Sequence, residues 1–591
     1  MQEAETVLTV LRERGRKGLP CDELYRQLFN RELYLLAYGR IYANQGAMTP
    51  GASAETADGM SEAKIDQIIE AMRHECYRFA PARRVLIPKK NGKIRPLGLP
   101  SWSDKLVGEV VRLLLEAYYE PRFSDRSHGF RKRRGCHTVL REIQRTWTGT
   151  VWFIEGDIAD CFGSLNHDVM VRTLAEKIHD NRFLRLIANM LKAGYLEDWQ
   201  YHETLSGCPQ GGVVSPILSN VYLDKLDQFV ERVLIPQYTQ GRRRRHNSEY
   251  QRLNDRRRYA RKRGDRATAR ELLKQMRTIP CGDPLDPGYR RLRYSRYADD
   301  QLLGFTGPKA EAEAIKDQLA AFLRDELALE LSADKTLITH ARTRAARFLG
   351  YEITVRHDNS KITGGRRMLN GTIALRVPLD VVRAKCAPYR RRATPWLRPA
   401  LTNLSDYDIV RVYAAEYRGV VNYYLLAGDA WRLRALRWNA ETSMLKTLAA
   451  KHKSTVTKMA ARYKAKIETP HGLRTCFEAR VPRNGKKDLV ARFGGIPLVR
   501  NENGFIVDPV RVLVPTPRKE LIHRLRTRRC ELCGHSGTVA VHQVATLARL
   551  GTPGPGQPAW AALMARKRRK TLVVCQSCHE TIHATPVTRA A

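Results

Sequence analysis

Long apolar runs are missing from this chain of 591 residues. It contains no stretch of about 18 apolar residues and no long basic helix with one clean apolar face, so the sequence predicts no membrane partner. Its first residues, MQEAETVLTVLRERGRKG, begin acidic and contain neither an apolar core nor a cleavage site. Because a secretory signal needs both, we expect a cytoplasmic protein.

Closely spaced cysteines are also scarce. Of the twelve cysteines, eight are scattered singly through 1–476, which favours a reducing compartment over a disulfide framework. The other four form two Cys-x-x-Cys pairs, Cys530 with Cys533 and Cys575 with Cys578. These pairs predict one local metal site near the C-terminus.

Acidic residues are few for a chain of this size. There are 103 Lys and Arg residues against 61 Asp and Glu, which gives a net charge of +42. Such an excess favours a polyanionic partner, above all nucleic acid, and the alternative is a basic protein without one. Hydrophobic residues make up 43% of the chain, which excludes wholesale disorder. The length predicts roughly three or four domains.

Short β-rich runs alternate with longer helical ones from 83 to 355, which predicts an α/β domain. From about 405 the pattern becomes helical and begins with a capping pattern, Ser405 with Asp408. Within the α/β region, 242–270 carries thirteen Arg or Lys residues and only three acidic ones. We expect this segment to bind RNA phosphates, with a solvated helical face as the alternative.

Two segments place aspartates at the ends of β-rich runs. In VWFIEGDIADCFGSLNH the run ends at Asp157, and in LRYSRYADDQLLGF two runs flank a turn with Asp299 and Asp300. Polymerases hold two divalent cations on carboxylates, and Mg²⁺ prefers oxygen ligands. An Asp-Asp pair in a turn is by itself ordinary, because aspartate favours turns.

Three motifs, in this order, resemble those of reverse transcriptases. Asp157 with Phe162 five residues later resembles one metal-binding box, and Tyr-Ala-Asp-Asp at 297–300 resembles the catalytic box. Between them, GCPQGGVVSPILSNVYLDKLD (207–227) resembles the nucleotide-binding helix of that family. The order, spacing and content of the motifs predict a polymerase palm.

The resemblance implies roles for individual residues. The two Mg²⁺ ions would be held by Asp157, Asp299 and Asp300 as catalytic ligands. Lys335, in LSADKT, would protonate the leaving pyrophosphate.

Four further residues would contact the incoming deoxynucleoside triphosphate. Phe162 would lie under its sugar and exclude a 2′-hydroxyl, and Gln210 would contact the nucleotide. Lys89 and Arg95, in RRVLIPKKNGKIRPLGLP, would contact its phosphates from a fingers hairpin that turns at Asn91-Gly92. For these basic residues, simple surface solvation is the alternative.

The chain resembles one lineage in particular, the group II intron-encoded proteins. The resemblance rests on IPKKNGKIRPLGLPSWSDK (87–105), the basic insertion before the catalytic hairpin, the helical regions 416–429 and 443–463, and the terminal cysteine-rich module. It implies a maturase that binds its intron RNA to assist splicing and copies it by target-primed reverse transcription during retrohoming. The alternatives are a defence or retron reverse transcriptase, and an RNA-binding splicing factor with a vestigial polymerase.

The terminal module resembles the HNH endonuclease module of the same family. Its four cysteines, Cys530, Cys533, Cys575 and Cys578, are enough for one closed tetrahedral Zn²⁺. The resemblance implies that His542, His579 and His583 bind a second divalent cation at the scissile phosphate of target DNA. The family usually has a second histidine, the general base, directly after the first, but here that residue is Gln543. A glutamine cannot take a proton from water, so two interpretations of the module are open. It is either a DNA-binding module stabilised by zinc or a nuclease that cleaves the bottom strand.

The predicted fold is α/β and multidomain, a right-hand polymerase with a helical thumb and a small ββα-metal module. The expected regions are an N-terminal helical extension (1–82), fingers and palm (83–370, with the basic insertion at 235–292), a thumb/maturase domain (371–480), a linker or DNA-binding segment (481–519) and the HNH-type zinc module (520–591).

Overall fold

The computed structural model describes residues 3–88, 92, 94–197, 200–204, 206–207, 212–332, 334–362, 367–502, 515–550 and 557–585. The fold over these residues mixes helices with mostly antiparallel sheets. Among them, no helix is both long enough and apolar enough to cross a bilayer.

The N-terminal region contains three α-helices and one short strand among the residues that the structure describes. Its elements are α1 (Ala4–Lys17), α2 (Arg31–Ile41), β1 (Met60–Ser61) and α3 (Glu62–Arg73). The side chains of Asn30 and Ser61 accept hydrogen bonds from the backbone amides of Glu32 and Lys64, in the first turns of α2 and α3, which fixes where each helix begins. Helix α2 is buried along most of its length, so this region is part of a larger core.

The central region contains two four-stranded sheets and their covering helices. The elements are β2 (Ala82–Pro88), β3 (Ile94–Leu99), α4 (Trp102–Tyr119), α5 (Cys136–Thr146), β4 (Trp152–Asp157), α6 (Cys161–Ser164), α7 (His167–Ala175), α8 (Asn181–Leu191), β5 (Tyr195–Glu197), β6 (Gln200–His202), α9 (Ser215–Phe229), α10 (Ile235–Gln237), α11 (Ser248–Lys262), α12 (Arg266–Met276), β7 (Arg291–Tyr297), β8 (Asp300–Thr306), α13 (Lys309–Leu327) and β9 (Ile338–His340). The strand orders are β3-β2-β5-β6 and β7-β8-β4-β9.

The basic insertion folds as a helical pair. Helices α11 and α12 pack against each other, and the side chains of Asn247 and Asp265 cap their N-termini. Most arginines of α11 are exposed, so the positive charge of the insertion faces solvent.

The region after the second sheet has its own core. Its elements are β10 (Ala346–Phe348), β11 (Tyr351–Val355), β12 (Ile373–Arg376), α14 (Leu379–Cys386), β13 (Arg390–Arg391), β14 (Thr394–Pro395), α15 (Asp406–Tyr423), α16 (Arg434–Lys451), α17 (Val456–Tyr463), β15 (Lys464–Thr469), β16 (Gly472–Arg483) and β17 (Lys486–Gly494). Ser405 caps α15 by accepting from the Asp408 amide, as its sequence pattern predicts.

The predicted linker at 481–519 is in part regular structure. Strand β17 pairs with β16 along its length, and its Ala491 and Phe493 are buried against the helices of this core. Of the charged PRNGKKD sequence (482–488), only Asn484 and Gly485 form the turn, and the residues on either side belong to the two strands. The sequence predicts a linker here because charged residues come first in the segment and only a few apolar residues alternate after them.

The terminal module is built from α18 (Pro515–Arg526), β18 (Val539–Gln543), α19 (Ala559–Lys567), β19 (Thr571–Cys575) and α20 (Gln576–Ala584). It has a small core of its own, which includes Met564 and Leu572. The sequence predicts a separate module, but β18 pairs with the N-terminal strand β1. Apolar residues of α18, β18 and β19 also join the core of the N-terminal helices, so the two ends of the fold pack together.

Candidate functional site

The predicted catalytic aspartates meet at one end of the β7-β8-β4-β9 sheet. Strands β4 and β8 are antiparallel, and their register places Asp157 directly opposite Asp300. Asp299 lies in the turn between β7 and β8. The structure therefore brings together carboxylates that are more than 140 residues apart along the chain.

The β7–β8 turn is tight because of two local features. Ala298 adopts the left-handed region with φ = 55°, which an L-residue rarely does. Gly129 lies directly against it, since a Cβ atom on Gly129 would be 2.3 Å from the Ala298 backbone nitrogen. Only glycine at this position lets the neighbouring loop approach the aspartate turn so closely.

Burial and mutual repulsion dominate the electrostatics of the three carboxylates. Burial raises the pKa of Asp300 to about 7, and the charges of Asp299 and Asp157 add to this rise. Burial also raises the pKa of Asp299, as does the charge of Asp157. Lys335 donates a hydrogen bond of 2.5 Å to Asp157, and that bond raises the pKa of the lysine.

This donor set suits a hard divalent cation. Three carboxyl groups converge and offer only oxygen atoms, the ligands that Mg²⁺ prefers. The cost of holding them together as anions is removed when cations bind between them. An open cleft of about 540 Å³ exposes Asp157, Asp300 and Lys335 to solvent, so ligands can reach the carboxylates.

A buried ion pair behind the aspartate turn was not predicted from the sequence. The guanidinium of Arg296, on β7, donates to both carboxylate oxygens of Asp227 on α9, at 2.8 and 2.6 Å, and both side chains are fully buried. The same guanidinium donates to the Ala298 carbonyl at 2.7 Å, and Tyr294 donates to Asp227. Arg296 thus ties the aspartate turn to α9. The only sequence signal is that Arg296 falls on the same side of the strand alternation as the apolar Leu292 and Tyr294.

Phe162 lies in the short helix α6 that follows Asp157. Its ring is half-buried and meets the ring of Phe130 edge to face, with 6.3 Å between centroids. Gly207 packs against this helix, because a Cβ on it would lie 2.9 Å from the Phe162 carbonyl oxygen. Gln210 falls outside the described residues.

Arg95 lies on the antiparallel β2–β3 hairpin, where it is exposed and opposite Ile87. The predicted turn of this hairpin contains Gly92, whose φ of 78° suits glycine. Lys89 is outside the part of the chain that the structure describes.

The β10–β11 hairpin and α15 are joined at their ends. Tyr423 donates to the Leu349 carbonyl at 2.7 Å, and Tyr424 donates to the Gly350 carbonyl at 2.9 Å. Arg347 on this hairpin forms an ion pair with Asp380 of α14. The helical region is therefore fixed to the edge of the catalytic sheet.

The four cysteines of the terminal module form one cluster. Cys530, Cys533, Cys575 and Cys578 each place a sulfur within 4.8 Å of the other three. Gly534, with φ = 77°, supplies the turn after the first pair. Four convergent thiols fit a closed tetrahedral Zn²⁺ site.

The three predicted histidines form a second cluster, together with an aspartate that was not predicted. His542 lies on β18, His579 and His583 lie on α20, and their ring nitrogens gather around the carboxylate of Asp58 within 4.8 Å. Burial by itself would raise the pKa of Asp58, but its interactions with His542, His579 and the Gln543 amide hold that pKa far below its usual range. Asp58 precedes β1, so nothing in the local sequence of either segment connects it to the histidines.

Gln543 is buried and turned toward the N-terminal region. Its backbone amide donates to Asp58 at 2.7 Å, and its side-chain amide donates to the Tyr42 carbonyl at 2.8 Å. The side chain at the position of the usual general base is therefore engaged in a contact within the protein.

Three family descriptions match separate parts of the chain. They are the reverse transcriptase (RNA-dependent DNA polymerase) over 87–244, the type II intron maturase over 383–493, and the AI2M/AI1M-like HNH endonuclease over 530–579. The first segment runs from the end of β2 into the basic insertion, the second runs from α14 to β17, and the third contains the four cysteines together with His542 and His579.

Two relatives match nearly the whole chain. The group II intron-encoded protein LtrA of Lactococcus lactis subsp. cremoris is 38% identical over 95% of this chain and 95% of its own length. An uncharacterized 91 kDa protein in a cob intron of Schizosaccharomyces pombe is 33% identical over 96% of this chain and 70% of its own. Among solved structures, apo telomerase from Candida tropicalis matches 65% of this chain and 59% of its own, with 12% identity and a TM-score of 0.34.

Proposed function

This chain belongs to the group II intron-encoded proteins, as a reverse transcriptase and maturase with an HNH endonuclease-like domain, and we propose that it copies its intron RNA at a new DNA site. The primer would be the 3′ end of the target DNA, as in target-primed retrohoming. The observation that carries the proposal is the pairing of Asp157 with Asp300 beside Asp299. An intact trio of carboxylates in an open cleft favours a working polymerase over a vestigial one.

Two Mg²⁺ ions would bind to Asp157, Asp299 and Asp300. Such a metal pair supplies activation of the primer 3′-hydroxyl and neutralisation of the leaving pyrophosphate. Lys335 neutralises Asp157 in the structure. When that contact opens, its ammonium is close enough to the carboxylates to hold a proton for the pyrophosphate.

The incoming deoxynucleoside triphosphate would be selected and held by residues around the cleft. Phe162 follows Asp157 by five residues on a short helix, and its ring packs edge to face against Phe130. This position close to the aspartates supports a contact with the sugar. Gln210 would contact the nucleotide, and Lys89 and Arg95 would contact its phosphates from the β2–β3 hairpin. A rigid ring close to the metal site discriminates against a 2′-hydroxyl by steric exclusion.

The regions of the chain would then form a right-hand arrangement. Sheet β3-β2-β5-β6 would be the fingers and sheet β7-β8-β4-β9 the palm, within 83–370. Helices α14–α17 would be the thumb, extended by β15–β17 to about 494 instead of ending at 480. The contacts of Tyr423 and Tyr424, at the end of α15, support this layout because they join these helices to the β10–β11 hairpin.

The intron RNA would be bound chiefly by the basic insertion, 235–292. Helices α11 and α12 project exposed guanidinium groups that match phosphates in a fork geometry. Structured RNA is recognised largely by shape and by contacts to its backbone, so such a surface assists folding without base-specific contacts. The terminal module would carry one structural Zn²⁺ on its four cysteines and bind target DNA.

Primer extension on an RNA template tests the proposal directly. Asp299→Asn is expected to abolish cDNA synthesis while RNA binding, measured by filter retention, stays within about twofold of the wild type. The matched control is Asp334→Asn, which changes another carboxylate of the same cleft. Synthesis retained by Asp299→Asn, or lost equally in the control, would refute the assignment.

A further inference from the structure

We infer that Asp58, His542, His579 and His583 bind one zinc-like ion in a closed site that fastens the terminal module to the N-terminal helical region. The new element is Asp58, which comes from outside the HNH-type module and completes its cluster. The inference stands on the geometry of this cluster and does not depend on the polymerase assignment.

The geometry of the cluster fits one metal ion. Oxygens of Asp58 lie 3.1 Å from Nδ1 of His542, 3.4 Å from Nε2 of His579 and 2.8 Å from Nε2 of His583. Metal–ligand bonds of about 2.1 Å in a tetrahedron place neighbouring ligand atoms about 3.4 Å apart. Small rotations of the side chains are therefore enough to enclose an ion.

The buried histidine nitrogens support a ligand at this point. His542 is 5% exposed, and neither of its ring nitrogens makes a hydrogen bond of good geometry. The same holds for Nε2 of His579. Buried polar atoms are nearly always satisfied, so Nδ1 of His542 and Nε2 of His579, which both lie against the Asp58 carboxylate, indicate a missing partner there.

Protons cannot satisfy the cluster as well as a metal ion can. If all three imidazoles were protonated, three positive charges would meet one carboxylate, with His542 buried, Asp58 and His579 half-buried and only His583 exposed. If all were neutral, some lone pairs would face one another without a donor. A divalent cation gives every lone pair a partner, and three imidazoles with one carboxylate favour zinc over magnesium.

Four protein ligands leave a tetrahedral ion with no open position. Catalytic zinc sites have three protein ligands and keep the fourth position for water or substrate, whereas structural sites are closed. Here Asp58 takes the fourth position. Gln543 is also engaged with Tyr42, so neither the metal nor the usual base position is available to a phosphodiester.

The cluster lies at a junction that is already well formed. Strand β1 pairs with β18, and the Gly59 amide donates to the Val541 carbonyl at 2.9 Å. Gly59 adopts φ = 75°, which lets the chain turn sharply from Asp58 into β1. Two ion pairs, Arg526 with Glu32 and Arg528 with Glu62, cross the same junction.

Zinc content of the full-length protein tests the inference. After loading with zinc and dialysis, we expect two equivalents per chain in the wild type, one on the cysteines and one on the Asp58 cluster. Asp58→Ala should retain one zinc equivalent. Loss of a residue that only supports a ligand weakens metal binding by about 10–100-fold, and loss of a ligand itself should weaken it more. The control Glu580→Ala removes an exposed carboxylate from the same helix as two of the histidines and should retain both.

Hydrogen exchange distinguishes the loss of a metal ion at the junction from unfolding of the terminal module. In Asp58→Ala the amides of Gly59 and Gln543 should lose protection, while amides paired between β18 and β19 should keep theirs. If Asp58→Ala does not fold, Asp58→Asn retains the volume and an acceptor for the Gln543 amide, and it should also bind only one equivalent. Oligonucleotide-primed cDNA synthesis should be unchanged in each variant, so a failure here leaves the polymerase assignment intact.

Three results would overturn the inference. One is a wild-type chain that binds a single zinc equivalent, which would leave Asp58 in an ion pair with histidine. Another is equal zinc content in the wild type and in both Asp58 variants. The third is metal-dependent nicking of duplex DNA by the wild type that His542→Ala abolishes, because a closed site cannot support it.

Discussion

Asp224 and Asp227 lie one turn apart on helix α9, yet their carboxylates have different partners. The carboxylate of Asp227 is bound by the fully buried guanidinium of Arg296. The carboxylate of Asp224 accepts a hydrogen bond from Gln228 at 2.6 Å. Burial raises the pKa of Asp224 to about 6, and the charge of Asp227 contributes to the rise.

Asp224→Asn is expected to stabilise the protein at neutral and higher pH. The pKa of Asp224 in the folded protein lies above its usual value near 3.8. The free energy of unfolding therefore falls as pH rises through about 6, because the buried carboxyl group must then ionise. A rise of two pKa units corresponds to about 3 kcal/mol, which sets the upper limit of the expected gain. Thermal unfolding between pH 4 and 8 should show a gain that is small at pH 4 and levels off above pH 7.

Asp227→Asn is the matched control and should do the opposite. It leaves the buried Arg296 without its anion, and breaking a buried pair on one side typically costs about 3–5 kcal/mol. A stabilised Asp227→Asn, or an Asp224→Asn whose gain does not depend on pH, would contradict the difference between the two sites.

Arg296→Met should slow cDNA synthesis strongly by releasing the Ala298 carbonyl. We expect kcat to fall by tenfold or more with little change in KM for the nucleotide, because Arg296 orients the aspartate turn without touching substrate. The double variant Arg296→Met with Asp227→Leu removes the unpaired charge and should recover stability. If Arg296 positions the aspartate turn, the double variant should recover stability but not the rate of cDNA synthesis. Full recovery of the rate would mean that Arg296 has only a structural role.

Phe162→Val should admit ribonucleotides into the product. The smaller side chain opens space beside the sugar 2′ position while Asp157, five residues earlier, keeps its place in β4. Single-nucleotide incorporation with each dNTP and its rNTP measures the ratio, and Phe162→Tyr serves as a control that retains the ring. Unchanged selectivity in Phe162→Val would argue against a sugar gate.

The salt dependence of RNA binding should depend on α11. Phosphate contacts release counterions, so the logarithm of affinity falls linearly with the logarithm of salt concentration. Replacing exposed Arg252, Arg256 and Arg258 with glutamine should lower the slope by up to about 2–3. Replacing Lys309 and Arg324 of α13 should change it little. If the substitutions in α11 and in α13 change the salt dependence equally, RNA binding depends on the net charge of the chain and not on a surface formed by α11.

Gln543→His should not produce DNA nicking. The new imidazole would replace a side chain that is held against the Tyr42 carbonyl, and Asp58 would still occupy the neighbouring cluster. Nicking of supercoiled plasmid in Mg²⁺ or Mn²⁺ measures this, with the wild type as reference. Gained nicking would indicate a weakened nuclease with an accessible metal, contrary to the closed site.

The approach of Asp157 to the turn with Asp299 and Asp300 could be predicted from the sequence, because a short strand and a tight turn fix these residues locally. Asp157 ends a run of branched and aromatic residues, and the aspartate pair lies between two such runs, so antiparallel pairing brings them together. The buried Arg296 could not be predicted, since its burial depends on an acid from α9. Sequence patterns describe single elements, whereas an ion pair of this kind depends on how two elements meet.

Asp58 shows the same limit over a longer distance. It lies in a loop whose sequence, ETADGM, contains only ordinary turn residues. Its role becomes visible once β1 is paired with β18, a contact between residues more than 450 positions apart. Strand β17 was missed for a different reason, because charged residues at its start hide the alternation that follows.

The pairing of β1 with β18 has a consequence for biosynthesis. A ribosome makes β1 long before β18, and domains that emerge early generally fold first. The edge of β1 and the surface around it must therefore wait, without their partner, until the terminal module has been made. A polypeptide released before that point exposes this surface to chaperones and proteases, so truncated copies are marked for removal.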